Sequence, residues 1–294
     1  MSSRRTRVPH RALPYLLVAP VVLLLAVFYL YPLGYNLVLS FFDWNMRGPM
    51  TFVGFGNFVE MFTDPDFGRI LGNTILYMVM DVTLTLAVGF ALALYLRRLS
   101  WVNRFLESVV FVPTVISLVS VSLVFVWLMR ADDGLLNWAL SLFGVDAVGW
   151  LTDPSVALVS VALVSVWKSA GLNALIILAA MRAIPPYLDE AAALDRASRW
   201  SRFTRITVPM ISPTLFFLVL INIIASFQAF DSINVMTQGG PQGATNTLIF
   251  SIYREGFNYY RVGYAAAMAT VLMVIVGAIT AVYFRVLQRK VHYR

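Results

Sequence analysis

Residues 155–209 read SVALVSVALVSVWKSAGLNALIILAAMRAIPPYLDEAAALDRASRWSRFTRITVP. The first half of this stretch, up to residue 181, is an apolar block, and the second half is basic and rich in alanine. An α-helix rises 1.5 Å per residue, so about 20 apolar residues cross the hydrocarbon core of a bilayer. The stretch therefore predicts a membrane-spanning helix that runs into a charged, helical loop at the membrane surface.

Apolar blocks of similar length recur on both sides of this stretch, and the whole composition agrees with them. The 294 residues are 60% apolar and 13% charged, with a mean hydropathy of +0.77. Soluble domains are about 45–50% apolar and about 25% charged. This composition excludes a soluble enzyme and a disordered chain, and the absence of cysteine excludes a disulfide scaffold. We predict an all-α membrane protein with six transmembrane helices, at about 12–33, 72–96, 105–129, 155–181, 208–229 and 263–285.

The arginines and lysines predict the orientation of these helices. Sixteen of the 22 fall at the N-terminus, in the 97–104 and 182–205 loops or at the C-terminus, and five fall in the alternate loops. Cytoplasmic loops are enriched in Lys and Arg, so this distribution predicts that both termini are cytoplasmic. The net charge of +7 then reflects the inner loops rather than nucleic-acid binding.

The predicted organisation is a transmembrane domain with two short tails. Residues 1–11 form a cytoplasmic N-terminal tail, 12–285 the transmembrane domain and 286–294 a cytoplasmic C-terminal tail. The first apolar block follows several arginines, as in a signal peptide, but it is about 22 residues long and has no clear small-residue cleavage site. We therefore expect it to be a retained signal-anchor helix.

The cytoplasmic loop at 182–207 predicts two short helices. Pro185 and Pro186 end the preceding span, and Asp189 and Glu190 favour a new helix N-terminus through the helix dipole. A second helix is expected to begin around residues 198–201. Apolar side chains on this loop would need a partner to cover them.

This loop resembles that of the permease subunits of bacterial ABC importers, which has the form E-A-A-x3-G-x9-I-x-L-P. The register here runs from Glu190 to Pro209 with the same spacing throughout. Two positions depart from the pattern, because Arg196 stands in place of the glycine and Val208 in place of the leucine. The arginine replaces a small, flexible residue where the two short helices meet.

The resemblance implies a type I ABC importer permease fold in which the 182–207 loop carries a coupling helix for an ATPase. It implies a pore shared with a second, homologous permease, two ATPase subunits and an extracytoplasmic solute-binding protein. No P-loop occurs in the chain, so ATP and magnesium would bind to the partner ATPases, and this chain itself would hold no cofactor. The residues expected to couple to the ATPase are Glu190, Ala191, Ala192, Asp195, Arg196, Arg199 and Arg202.

Further similarity covers nearly the whole chain and points to the sugar and glycerol-3-phosphate uptake type. It includes FVGFGNFVEMF before the second span and TQGGPQGATNTLIFSIYREGF before the sixth. SVWK at 165–168, TLIFSIYREGF at 247–257 and the RKVHYR tail resemble the A-type permeases of glycerol-3-phosphate and glycerophosphodiester importers. The implied role is uptake of these solutes by alternating access, in a bacterial inner membrane.

Polar residues inside the predicted spans are the candidates for a solute pathway. A charge near the middle of a bilayer costs about 2.5–3.5 kcal/mol on insertion scales, so Lys168 and Asp81 need an explanation. Asn173, Asn222 and Ser226 add amide and hydroxyl groups. We predict that these five side chains line the pathway. The alternatives are a Lys168–Asp81 ion pair and hydrogen bonds that join helices.

The sequence contains few features that would indicate an enzyme, a metal site or another kind of transporter. His10 and His292 are the only histidines, and no catalytic triad, paired carboxylates or metal-binding pattern falls in a plausible pocket, so we expect neither an enzyme nor a metal site. The main alternative is a permease for a di- or oligosaccharide such as maltose or trehalose. More distant alternatives are a membrane acyl- or phosphotransferase and a self-sufficient channel or carrier.

Overall fold

The computed structural model describes residues 13–98 and 100–288. The predicted N-terminal tail, both histidines and the last part of the predicted C-terminal tail lie outside these residues. The described chain forms two compact units, one of residues 13–63 with 252–271 and one of residues 64–251 with 272–288.

The first unit begins with a long apolar helix that contains one π-helical turn. Its elements are α1 (Leu13–Leu25), a π-helical turn (Ala26–Leu30), α2 (Tyr31–Leu39), the antiparallel pair β1 (Phe42–Asp43) and β2 (Thr51–Phe52), and α3 (Gly56–Thr63). The buried Asn57 amide donates to the carbonyls of Ser40 and Phe42, at 2.9 Å each, and so ties α3 to the chain that follows α2.

The second unit contains most of the helices. They are α4 (Pro65–Leu96), α5 (Trp101–Val115), α6 (Leu118–Leu128), α7 (Leu135–Ser141), α8 (Ala157–Arg182), α9 (Pro186–Leu194), α10 (Arg199–Arg202), α11 (Val208–Phe227) and α12 (Asp231–Met236). The short helix α13 (Leu248–Tyr253) begins in this unit and ends in the first. The last helix, α14 (Val262–Gln288), belongs partly to each unit. The core of this unit forms around α8, whose side chains are buried on most sides.

Five helical segments of the described chain are long and apolar enough to span a membrane. They are Leu13–Leu39, Pro65–Leu96, Ala157–Arg182, Arg199–Phe227 and Val262–Arg285, and the bent pair α5 and α6 makes a sixth if it counts as one span. The second span, α4, begins seven residues before the apolar block predicted at 72–96. It begins there because Asp64 accepts a hydrogen bond from the Asp66 N–H and Pro65 occupies the first helical position.

The third predicted span needs a correction, because residues 105–129 do not form one continuous helix. The chain breaks at Ile116 and Ser117, both in extended conformations, and α5 and α6 meet there at 97°. Pro113 lies one turn before the break and lacks the N–H that would continue the helical hydrogen bonds. We call Ile116–Ser117 the elbow.

The helices around α8 approach closely at two glycines. A Cβ atom at Gly89 in α4 would lie 3.1 Å from the Cβ atom of Asn173. A Cβ atom at Gly171 would overlap the carbonyl oxygen of Val110 in α5. The backbones of α5 and α8 therefore touch without any side chain between them at Gly171.

One asparagine organises the loop at 130–154, which is predicted to lie outside. The buried Asn137 side chain of α7 donates to the carbonyls of Ala131 and Val148, at 3.0 Å each, and accepts from the indole N–H of Trp150 at 2.9 Å. Asn137 thereby ties the short helix α7 to the rest of this loop.

Candidate functional site

The loop at 182–207, which we call the coupling loop, holds α9, α10 and a π-helical turn (Phe203–Thr207). Pro186 occupies the first turn of α9 and Asp189 is acidic at the same end, as the sequence indicated. The second short helix begins after Ser198, whose hydroxyl accepts from the Ser201 N–H at 3.1 Å. The predicted second helix is therefore confirmed.

The turn between α9 and α10 explains the glycine of the family pattern. Arg196 has φ of +54°, in the left-handed region that favours glycine. The N–H of Ala197 donates to the carbonyl of Ala192 at 2.9 Å, and the N–H of Arg196 donates to that of Ala193 at 3.1 Å. These two bonds are the Schellman termination of a helix, and a residue with a Cβ atom is strained at its left-handed position.

Replacing Arg196 by glycine should therefore relax the coupling loop, while alanine should not. Both variants remove the guanidinium, but only glycine adopts a positive φ without strain, so Arg196→Gly should be more stable than Arg196→Ala by about 1 kcal/mol. Thermal unfolding of the purified complex measures the difference. Equal unfolding temperatures for the two variants would show that the turn is not strained.

Ion pairs hold the coupling loop against the ends of the membrane helices. Arg97, which follows α4, pairs with Asp189 of α9 at 3.2 Å. Arg182, at the end of α8, pairs with Glu107 of α5 at 2.5 Å and donates to the carbonyl of Leu96 at 3.4 Å. These contacts join the C-terminal ends of α4 and α8 and the N-terminal half of α5 beside the loop, so a force on the loop would pass to the membrane helices.

The coupling loop presents a surface that no described residue of this chain covers. Leu194 is 86% exposed and Trp200 is 72% exposed. Most of the predicted coupling residues share this exposure, while Ala192 and Arg202 are half-buried; the exposed ones are Glu190, Ala191, Asp195, Arg196 and Arg199. Apolar side chains amid charges of both signs form a surface suited to another protein.

Lys168 does not contact Asp81 in the structure. Its ammonium donates to the carbonyls of Pro113, Thr114 and Ile116, at 3.4, 3.0 and 2.5 Å. The ion pair that the sequence left open is therefore not formed. Instead, the charge is placed against the carbonyls that the break at the elbow leaves without helical partners.

Asn173 and Asn222 contact each other across α8 and α11. The Asn222 amide donates to the Asn173 side-chain oxygen at 2.8 Å, and the reverse bond measures 3.4 Å. The two residues are 5% and 7% exposed. Ser226 is also buried and donates to the carbonyl of Ile223 at 2.7 Å. The structure thus gives Asn173 and Asn222 a helix-joining role, while the Ser226 hydrogen bond lies within α11, and the place of all three in a solute pathway stays a prediction.

Asp81 lies on a polar face of α4, one turn from Tyr77 and one turn from Thr85. The Tyr77 hydroxyl is 2.7 Å from that of Ser165 in α8. One carboxyl oxygen of Asp81 and the hydroxyl of Thr85 are buried and have no hydrogen-bond partner among the described residues. Asp81 therefore shares a face of α4 with Tyr77 and does not pair with Lys168, and its role in a pathway also stays a prediction.

Two interacting residues of this region were missed from the sequence. Glu107 lies in the predicted third span, and a carboxylate there could have been noticed as a charge needing a partner. Tyr77 is four residues before Asp81, at the spacing that places two side chains on one helical face. Tyrosine is common in apolar helices, so that signal was weak.

Comparison with known proteins shows the family of this chain. Residues 85–293 match the family described as binding-protein-dependent transport system inner membrane component. The chain belongs to this family. It is a permease of the inner membrane with several membrane spans, and a transport subunit rather than an enzyme.

Individual relatives are similar to this permease over nearly their whole length. The sn-glycerol-3-phosphate transport system permease protein UgpA of Escherichia coli (strain UTI89 / UPEC) is 35% identical over 100% of both chains. The sulfoquinovosyl glycerol transport system permease protein SmoG of Agrobacterium fabrum is 32% identical over 95% of this chain and 92% of the relative. The permease is therefore of the carbohydrate and glycerol-3-phosphate type of ABC importer.

A solved structure supports the same fold. A chain of a bacterial alginate ABC transporter, in complex with an alginate pentasaccharide-bound periplasmic protein, matches with a TM-score of 0.83 and 27% identity over 95% of each chain. The permease therefore has the type I ABC importer fold, as the resemblance implied. It acts with the partners of an ABC importer.

Proposed function

We propose that this permease forms half of a translocation pore for sn-glycerol-3-phosphate or glycerophosphodiesters, and that it works by alternating access. The observation that carries the proposal is the 35% identity to a glycerol-3-phosphate permease without any uncovered segment in either chain. Full coverage matters because it includes both the membrane spans and the loops on each side.

The proposed assembly has a second, homologous permease, two ATPase subunits and an extracytoplasmic binding protein. The exposed surface of the coupling loop supports the ATPase contact, with Glu190 and Asp195 as acidic contacts and Arg199 and Arg202 as basic ones. The ion pairs at Arg97 and Arg182 connect that surface to the spans. Closure of the ATPase dimer on ATP would pull the two coupling loops together and open the pore outward.

The runner-up solute is a di- or oligosaccharide. It is favoured by the likeness to the alginate transporter, whose structure contains an alginate pentasaccharide on its periplasmic protein. The names of two relatives at higher identity contain glycerol-based solutes, sn-glycerol-3-phosphate and sulfoquinovosyl glycerol. For this reason glycerol-3-phosphate and its diesters are placed first.

Uptake by the reconstituted complex tests the proposal. The complex that contains this permease is placed in proteoliposomes with ATP inside, and its solute-binding protein is supplied outside. Labelled sn-glycerol-3-phosphate and glycerophosphocholine should accumulate, and vanadate should stop the uptake. Accumulation of maltose or trehalose with no uptake of the phosphate compounds would replace the first solute by the runner-up. Uptake without ATPase subunits would contradict the importer assembly.

A further inference from the structure

The elbow places irregular backbone near the middle of a membrane span. Its carbonyls contact Lys168, which lies near the middle of α8 (Ala157–Arg182), a helix long and apolar enough to span the membrane. The break therefore lies near the depth of the middle of α8, inside the hydrocarbon layer rather than at its edge. Val115, Ile116 and Ser117 are all exposed on this chain, so nothing described in it covers the break.

Exposure to lipid is not an option for such a segment. The bilayer core holds no water to pair with free N–H and C=O groups, and each unpaired group costs several kcal/mol. Non-helical backbone occurs at membrane depth only where protein covers it or where it lines a water-filled cavity. Because the family forms a pore, the exposed side of the elbow has an aqueous route available to it.

Three residues within about one turn of α8 contact the two arms of the bend. Gly171 meets the Val110 backbone in α5, Lys168 meets the elbow carbonyls, and the Trp167 ring lies 5.4 Å from that of Phe125 in α6. A lysine ammonium has three N–H donors. The three carbonyls use all of them, so no donor is left to hold a solute in this arrangement.

We propose that the elbow lines the water-filled translocation route and that Lys168 is the positioning residue that holds it in place. The ammonium neutralises the negative end of the α5 dipole and supplies the hydrogen bonds that the broken helix lacks. Lys168 thus acts on transport through the backbone of the third span and does not itself contact the solute. This inference rests on the pore-forming family and not on the identity of the solute.

Cysteine labelling tests the aqueous exposure of the elbow. The chain has no cysteine, so a single substitution gives an unambiguous label. In the assembled complex, Ser117→Cys should react with a charged methanethiosulfonate in the resting or the vanadate-trapped state. Ser122→Cys is the matched control, because Ser122 lies on the same span and is fully buried. Labelling of Ser117→Cys no faster than the control in either state would overturn the proposal.

Substitutions at Lys168 test its positioning role. Lys168→Met should change the labelling rate of Ser117→Cys and lower the maximal uptake rate about tenfold, with a change in KM below about twofold. Lys168→Arg keeps the charge and the donors, so it should lie nearer to the native protein in both measurements. Failure of the methionine variant alone to assemble would also support positioning. A normally assembled methionine variant with an unchanged labelling rate and a tenfold higher KM would show solute contact and overturn the proposal.

Discussion

Replacing Gly171 by alanine is expected to destabilise this permease by about 3 kcal/mol or more, at the upper end of the usual cost of overpacking. The added Cβ atom would overlap the backbone carbonyl oxygen of Val110. A flexible side chain could turn away from such a contact, but a carbonyl inside a helix cannot move without α5 moving with it. The expected result is loss of assembled complex from the membrane and a lower unfolding temperature for any complex that remains.

Gly72→Ala is the matched control for this substitution. Gly72 is also inside a membrane helix, α4, but a Cβ atom there meets nothing within 4 Å in this chain. Alanine favours helix over glycine, so the control should be neutral or more stable by up to about 1 kcal/mol. Equal behaviour of the two variants would show that α5 and α8 are not in backbone contact at Gly171.

Reversing the charge of Glu190 is expected to lower solute uptake at least about 100-fold while the permease still assembles, as truncation of a dominant interface residue can. Under the proposed function, Glu190 meets the ATPase, and a lysine there would place a like charge or an unpaired one in the contact. The side chain is exposed in this chain, so its loss should not affect the fold. Uptake into proteoliposomes and solute-stimulated ATP hydrolysis are the two measurements.

Asp146→Lys provides the comparison on the opposite side of the membrane. Asp146 is an exposed acid in the loop at 130–154. Its replacement by lysine therefore makes the same change of net charge as Glu190→Lys, but away from the coupling loop. It should retain near-native ATP hydrolysis by the assembled complex. If the Glu190→Lys variant kept native coupling between ATP hydrolysis and solute uptake, Glu190 would not be part of the proposed ATPase contact.

The course of the spans was readable from the sequence, but the shape of the third was not. Five apolar blocks correspond to helices because burial in lipid requires every backbone group to be satisfied within the segment, which leaves few alternatives to helix. Pro113 lies inside α5 and lacks a backbone N–H. Whether a proline bends a helix or ends it depends on what satisfies the freed carbonyls, and here Lys168 does so from a residue 55 positions away.

The candidate site, like the spans, was predictable from the sequence only in part. The coupling loop was predictable because its caps, prolines and acidic first turn act locally, and the family pattern supplied its register. Why the family pattern has a glycine at this position became clear only from the backbone angle of Arg196. The partners of Lys168 and Asn222 were beyond prediction, because each is set by the rotation and separation of different helices.

The sequence by itself determined the class, the number of apolar blocks and the family, because hydrophobicity, charge placement and local helix signals depend on neighbours along the chain. Only the tertiary structure decided which polar groups meet inside the membrane. A buried donor or acceptor must find a partner within about 3 Å, and that distance is set by how closely helices approach. Gly171 brings α5 against α8, and that approach places Lys168 against the elbow, while the packing of α8 on α11 places Asn173 against Asn222.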